Sequence, residues 1–366
     1  MNAPNQPEIL VLGVESSCDD TAAAVVRANA NAAKILSNVV WNQNTLHEAF
    51  GGIVPEIAAR AHAERLDFAI EAALDQADCD LTEIGLVAAT AGPGLIGGVA
   101  SGLATAQTLA IALEKPFAAI NHLEGHVLSP RLSDQIAFPY LLLLVSGGHG
   151  QLIEARGLGD YRRLGGAIDD SPGEALDKFA KHLGLRFPGG PEIEKRAETG
   201  NPDRFDLPRP LLNQPGADMS FSGLKTAARL VSDKLAKKQG GVSDQDIADL
   251  CAGYQAAIFD VLIEKTRRAM TMMRTPIERL AVAGGVAANK RLRKSLTTLA
   301  TTVGATFIAP PFAVCTDNGA MIAWAGAERF FAGLTDDPVS ACARPRWPLD
   351  ENAAPLSGGG RKGPKL

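Results

Sequence analysis

The chain has 366 residues, 46% hydrophobic, 21% charged and 5% aromatic, with a formal charge of −5. That length accommodates two ordinary domains, and the scarcity of aromatics argues against a stacking platform for single-stranded nucleic acid. Unaided nucleic-acid binding is disfavoured too: it needs a basic stripe, whereas KTRR (265–268), KRLRK (290–294) and RPRW (344–347) are separate clusters that read as solvated faces or tail.

The N-terminus, MNAPNQPEILVLG, has neither the basic nor the apolar region of a signal peptide, and the apolar strand run LLLLV (141–145) is far short of a membrane span. Five cysteines, at 18, 79, 251, 315 and 342, form no CxxC and no disulfide framework. The expectation is a reduced, cytoplasmic protein with no membrane partner.

In chain order, EILVLGVESS (8–17), AAAVVRA (22–28) and KILSNVVW (34–41) read as strands. A helix over 55–77 starts at a proline and places apolar residues at three- and four-residue spacing. GLVAATAGPG (85–94) predicts a strand ending in glycines, 97–113 a helix, and FAAINH (117–122) a short strand. The same order then restarts. Strands are predicted at 140–150, 150–155 and 161–167, with a helix over about 171–183. A Pro/Gly-rich stretch (184–222) leads to helices at 224–238 and 244–273, a strand within 279–289, a helix over 288–300, a strand at 306–311 and a helix over 316–332.

Three strands followed by alternating helices and strands, twice over, predict an α/β fold built by duplication, with two lobes around a central cleft. The expected division is a first lobe at 1–135, a second at 136–350 with a helical insertion at about 184–275, and a disordered tail at 351–366. Four strand ends, VESSCDD, TAGPGLIGG, VSGGH and AGGVAAN, carry turns that bring backbone N–H groups close to a phosphate. The other reading is that such turns serve only tight strand-to-helix connections.

NHLEGHVL (121–128) places His122 and His126 one helical turn apart, with Cβ atoms about 5–6 Å from each other. Two imidazoles at that spacing can chelate one ion. The zincin order is H-E-x-x-H, whereas Glu124 follows His122 by two residues, about 200° round the helix. A metalloprotease is therefore disfavoured. A third ligand is available in CTDNGAM (315–321), where Asp317 either joins the histidines or caps the helix it precedes. Two histidines and a carboxylate would leave positions open for substrate, as in non-haem iron(II) sites.

VLGVESSCDDTAAAVV, GGIVPEIAARAH, AGPGLIGG, NHLEGH, LLLVSGGH, IDDSPGEALDK, FPGGPEIEK, DMSFSGLKTA, AGGVAANKRLR, CTDNGAMIA and RPRWPL together resemble the bacterial tRNA N6-adenosine threonylcarbamoyltransferase family, TsaD, of the actin/Hsp70/sugar-kinase superfamily. The resemblance spans about residues 9–348. It implies transfer of a threonylcarbamoyl group from threonylcarbamoyl-adenylate to the exocyclic N6 amine of adenosine 37 in tRNA.

The resemblance further implies one ion, iron with zinc as the other candidate, on His122, His126 and Asp317. It implies substrate binding by Leu144, Val145, Ser146, Gly147 and Gly148, and by Asp177, Gly190 and Asn289. Glu194 stands where the family often has aspartate, and its role stays open. The implied partners, besides tRNA, are an inactive paralogue, TsaB, and a P-loop ATPase, TsaE, which suits a chain with little basic surface.

No general base is assigned: Glu15, Asp19 and Asp20 are candidates, with turn capping as the other reading. His47, His62 and His182 read as surface or packing residues, His149 as solvated or near the donor, and Cys18 as a small buried filler. Ser222 reads as a helix cap or, with Lys225, as part of a segment over the cleft. The alternatives in other classes are a small-molecule kinase on the same fold and a non-enzymatic scaffold paralogue, the latter opposed by the intact HLEGH and CTDNGA.

Overall fold

The computed structural model describes residues 7–50 and 52–356. The chain divides into two units, one of residues 1–137 with 310–351 and the other of 138–309 with 352–366.

In the first unit, β1 (Ile9–Glu15), β2 (Asp20–Ala28) and β3 (Ala33–Asn42) form an antiparallel meander. After α1 (Asn44–His47) and α2 (Pro55–Ala77), β4 (Ile84–Gly92) pairs parallel with β1. β5 (Phe117–Asn121) pairs parallel with β4, after a crossover through α3 (Ile96–Ala112). The sheet order is β3-β2-β1-β4-β5. Helix α2 buries Ala58, Ala61, Leu66, Ala69, Ile70 and Ala73, a stripe at helical spacing that joins Leu12, Val14, Val25 and Leu103 in one core. Burying each Leu or Ile of this layer contributes about 1.5–3 kcal/mol. Helix α4 (His122–Asp134) follows β5 directly.

The second unit repeats the plan. β6 (Tyr140–Val145), β7 (Gly150–Gly157) and β8 (Asp160–Gly166) form a meander, and β9 (Arg279–Ala283) and β10 (Thr306–Ile308) extend it in parallel, in the order β10-β9-β6-β7-β8. All six residues of β6 are buried, as a central strand covered on both faces requires. Between β8 and β9 lie α5 (Pro172–His182), α6 (Gly189–Ala197), α7 (Ser222–Gln239) and α8 (Asp244–Met272), and α9 (Lys290–Thr302) connects β9 to β10. Tyr254 of α8 stacks on Phe179 of α5, 4.2 Å between ring centres, and donates its hydroxyl to the Ala175 carbonyl at 3.0 Å.

The chain then returns to the first unit with α10 (Phe312–Cys315) and α11 (Gly319–Phe331). This differs from the expectation that 310–350 belongs with the second lobe. The reason is close packing: a Cβ on Gly13 of β1 would lie 2.2 Å from the Gly319 carbonyl oxygen, and one on Gly326 would lie 2.5 Å from the Ala88 Cβ. The disordered tail expected at 351–366 does not hold for residues 351–356, which are described. Leu356 is buried with its side chain over Gly166, and Arg163 donates to the Ala354 carbonyl; residues 357–366 lie outside the described residues. No described helix is long and apolar enough to cross a membrane.

Candidate metal centre and substrate loop

Strand β5 ends at Asn121, whose side chain caps α4 by accepting from Leu123 N–H at 2.9 Å and donates to the Trp347 carbonyl at 3.1 Å. The cap makes His122 the first helical residue and puts His126 one turn on. Their rings meet edge to face, 4.8 Å between centres, and both are buried. Asp317 reaches them from just ahead of α11. The cap of that helix is Asn318, which accepts from Met321 N–H at 2.9 Å, so the capping reading of Asp317 does not hold. Gly125, between the histidines, lets α4 lie against Met321 and Ile322 of α11; a Cβ there would be 3.0 Å from Ile322 Cδ1.

Asp317 Oδ1 lies 3.0 Å from His126 Nε2 and 3.7 Å from His122 Nε2. One ligand atom from each of the three residues falls within 4.8 Å of the other two. His122 is turned by its neighbours. Its Nδ1 is 2.9 Å from Glu15 Oε2 and 3.1 Å from Ser17 Oγ, so Nδ1–H donates to the carboxylate and Nε2 is the nitrogen that faces Asp317. Glu15 also accepts from Ser17 N–H at 2.6 Å and from the Thr90 hydroxyl at 2.6 Å. With both oxygens engaged, Glu15 is an orienting group rather than a free base.

The residues fit a cation on three counts. The donor set is two imidazoles and a carboxylate, which suits iron or zinc. Among the described residues, Nδ1 of His126 is buried without a hydrogen-bond partner, which is rare for a buried ring nitrogen. Negative charge is in surplus as well: burial, then Asp317, Asp19 and Glu15, push the Asp20 carboxyl up to about 8. Burial opposes a charge on His122, yet the Glu15 and Asp317 carboxylates outweigh it and push the imidazole up to about 9.

In the second unit, the turn after β6 holds Ser146, Gly147 and Gly148. Ser146 N–H donates to the His149 carbonyl at 2.8 Å, and Ser146 Oγ accepts from His149 N–H at 3.0 Å. The start of α5 grips two carbonyls: Gly173 N–H donates to Ser146 O at 3.2 Å, and Ser171 Oγ donates to Gly147 O at 2.5 Å. In a trans peptide the next N–H points opposite to its carbonyl, so the N–H groups of Gly147 and Gly148 turn away from α5. A Cβ on either glycine would meet nothing within 4 Å. That open backbone suits an anion.

Leu144 and Val145 lie buried in β6, and Gly284, with φ +94°, sits so close that a Cβ would be 2.3 Å from the Val145 carbonyl oxygen. Asp177 Oδ1 accepts from Gly189 N–H at 2.7 Å, next to Gly190. Asn289 caps α9 through Arg291 and Leu292 N–H, at 3.0 and 3.1 Å, and donates to Gln255 at 2.8 Å. Glu194 of α6 accepts from Lys290 N–H at 2.9 Å, joining that helix to the start of α9.

The family model of TsaD, tRNA N6-adenosine threonylcarbamoyltransferase, matches residues 34–324. A protein of that name from Cereibacter sphaeroides is 60% identical over 97% of this chain and 98% of its own length. The chain belongs to this family. Relatives of the same name from Paracoccus denitrificans and Brucella anthropi are 57% and 56% identical, each over 97% of this chain and 98% and 99% of their own. The chain is a transferase that modifies tRNA, and nothing favours the kinase alternative.

At the level of fold it is similar to HypF from T. kodakarensis, with TM-score 0.57 and 15% identity over 91% of this chain and 49% of that one. It is also similar to component A of (R)-2-hydroxyglutaryl-CoA dehydratase from Acidaminococcus fermentans, with TM-score 0.50 and 14% identity over 89% and 99%. These are actin/Hsp70/sugar-kinase-like folds, and the duplicated α/β architecture is theirs.

Of the two readings of His47 and His62, surface or packing, it is packing that holds: both are fully buried and hydrogen-bonded. Ser222 caps nothing; its hydroxyl donates to Asp169 at 2.6 Å, while Lys225 pairs with Asp170 at 2.5 Å. Glu124 is buried and faces Arg329 of α11 at 3.5 Å, away from a protease geometry. His182 is a surface residue, 3.5 Å from Asp233. The orienting role of Glu15 and Ser17 was hidden in the sequence, because the partners lie 107 and 105 residues from His122.

Proposed function

We propose that the chain passes the threonylcarbamoyl group of threonylcarbamoyl-adenylate to N6 of adenosine 37 in tRNA, with one iron(II) ion, or zinc, on His122, His126 and Asp317. The observation that carries the transferase reading is the 60% identity to a named threonylcarbamoyltransferase along nearly the whole chain. The convergence of the three ligands supports the metal.

The donor is a mixed anhydride and already activated, so the protein supplies no covalent nucleophile. The N6 amine bonds to the carbamoyl carbon, the carbon–oxygen bond to phosphate breaks, AMP leaves with the bonding electron pair, and the proton released from the amine passes to water. A bound ion supplies Lewis-acid polarisation of donor oxygens. The N–H groups of Gly147 and Gly148 receive phosphate charge, held in place by Ser171 and Gly173, and this prearranged polarity needs no reorganisation during reaction. Asp177, Gly190 and Asn289 complete the donor's surroundings. TsaB and TsaE serve as partners that supply part of the grip on tRNA, which a chain of charge −5 lacks. A tRNA substrate and five free cysteines agree with a cytoplasmic address.

The test is metal analysis of purified protein, followed by an assay for threonylcarbamoyladenosine in tRNA with both partners present. His126→Ala should fold, lose the ion and lose at least about a hundredfold in transfer, the upper range for lost metal support. Full activity in metal-free His126→Ala protein refutes the metal role.

A further inference from the structure

Beside the metal centre, five hydrogen bonds run in series through buried side chains. Val54 N–H lies 3.3 Å from His47 Nδ1, and His47 Nε2 lies 3.2 Å from Gln43 Oε1. Gln43 Nε2 lies 3.5 Å from Thr21 Oγ1, Thr21 Oγ1 lies 2.8 Å from His62 Nδ1, and His62 Nε2 lies 3.1 Å from the Cys18 carbonyl oxygen. Thr21, Gln43, His47 and His62 are all fully buried.

The two ends are backbone groups whose roles are invariant, and they dictate every role between them. Val54 can only donate, so His47 accepts at Nδ1, carries its proton on Nε2 and gives it to Gln43 Oε1. Gln43 then donates its amide N–H to Thr21. From the other end, the Cys18 carbonyl can only accept, so His62 carries its proton on Nε2 and accepts at Nδ1 from the Thr21 hydroxyl. Both derivations meet at Thr21, which accepts once and donates once. Gln43 Nε2 is also 3.5 Å from His62 Nε2, but two donors form no bond. Every dipole points the same way, the arrangement in which hydrogen bonds polarise one another. Burial also holds the His62 imidazole below its ordinary range, in keeping with a neutral ring.

The chain ends on the turn that carries Ser17 and follows Glu15, the two residues that orient His122. The same turn is clamped on its other side, where Leu95 N–H donates to the Ser17 carbonyl at 2.7 Å and Ser16 Oγ donates to the Gly98 carbonyl at 2.9 Å. A Cβ on Gly98 would strike the Ser16 carbonyl at 2.3 Å and the His62 ring at 3.0 Å. We propose that this one-way hydrogen-bond chain fixes the Ser16–Asp20 turn, so that His62 and Thr21 are positioning residues for His122. The proposal rests on the reading of His122 as a metal ligand.

The experiment uses the full chain with cobalt(II) as probe. Thr21→Val keeps the shape and removes the central hydroxyl; His62→Leu removes both ring nitrogens; His62→Gln restores a donor and an acceptor. Thr21→Val and His62→Leu should each weaken cobalt binding about tenfold, the scale for support behind a ligand, and shift the cobalt visible spectrum, while His62→Gln stays within about threefold of the parent. Folded Thr21→Val protein with parental affinity and spectrum overturns the proposal, whatever the fate of His62→Leu.

Nitrogen NMR on metal-free protein separates this from the metal reading. His126→Ala that binds cobalt like the parent defeats the metal reading alone. The chain is then judged by the ring signals: Nε2–H tautomers at His47 and His62, and a shift of the His122 ring in Thr21→Val, support it. An Nδ1–H tautomer at His62, or an unmoved His122, overturns it.

Discussion

Glu15 and His122 lie 2.9 Å apart, both buried, although 107 residues separate them in the chain. The carboxylate fixes which imidazole nitrogen is left bare, and outer partners of this kind typically set about 10–100-fold in metal affinity. Glu15→Gln keeps an acceptor but removes the charge. It should raise the dissociation constant for zinc about tenfold in chelator competition. An affinity within about twofold of the parent contradicts this role.

The packing of α11 gives a paired prediction. Gly13→Ala places a methyl 2.2 Å from the Gly319 carbonyl oxygen and 2.5 Å from Ala323 N, both backbone, so α11 must move. A loss of about 3 kcal/mol is expected in denaturant unfolding, at the upper end for overpacking. Gly125→Ala meets side-chain atoms, Ile322 Cδ1 at 3.0 Å and Met321 Cγ at 3.2 Å, which can yield, and gains helix propensity of about 1 kcal/mol. It should be close to neutral.

Gly148 separates stability from function. Its added methyl would find open space, and its backbone is not left-handed. Gly148→Ala should therefore unfold within about 1 kcal/mol of the parent, the cost range for an unstrained glycine site. The added methyl would keep the phosphate from closing on the Gly148 N–H, so the Michaelis constant for the donor should rise by roughly tenfold, the scale of one weakened charge-assisted bond. An unchanged constant would remove the loop from donor binding.

Asp170 carries the pH prediction. Burial opposes its charge, yet Lys178 and Lys225, at 2.7 and 2.5 Å, hold its carboxyl below the usual range. A depressed carboxyl stabilises the fold above its unfolded value of 3.8, and that contribution fades as pH falls through and below this value. Asp170→Asn should cost about 1–3 kcal/mol near neutrality, the range for hydrogen bonds to charged groups. Denaturation followed from pH 7 into the acid range should show the two proteins converging.

Much of the architecture was legible because period and punctuation agree. The apolar run of β6, the proline-led stripe of α2 and the histidines at one-turn spacing all report local geometry, and the element order repeats. What sequence pattern leaves open is pairing across distance. Asp317 and Asn318 are adjacent polar residues before a helix, and only the packing of Gly319 on Gly13 decides which one caps and which one turns inward. His62 looks like any polar residue on an amphipathic helix until Thr21 and Cys18, 41 and 44 residues away, are seen to surround it. The return of 310–351 to the first unit is likewise invisible to periodicity, since α11 reads as an apolar helix wherever it docks.

That return sets an order of events during synthesis. Residues 138–309 leave the ribosome before α11 exists, so β1 and β2 must wait with one apolar face uncovered while that stretch of the second unit is made. A nascent chain halted between His126 and Asp317 carries both histidines without the third residue of the cluster. On the proposed ligand set, the three-residue site is thereby completed only when translation is nearly over.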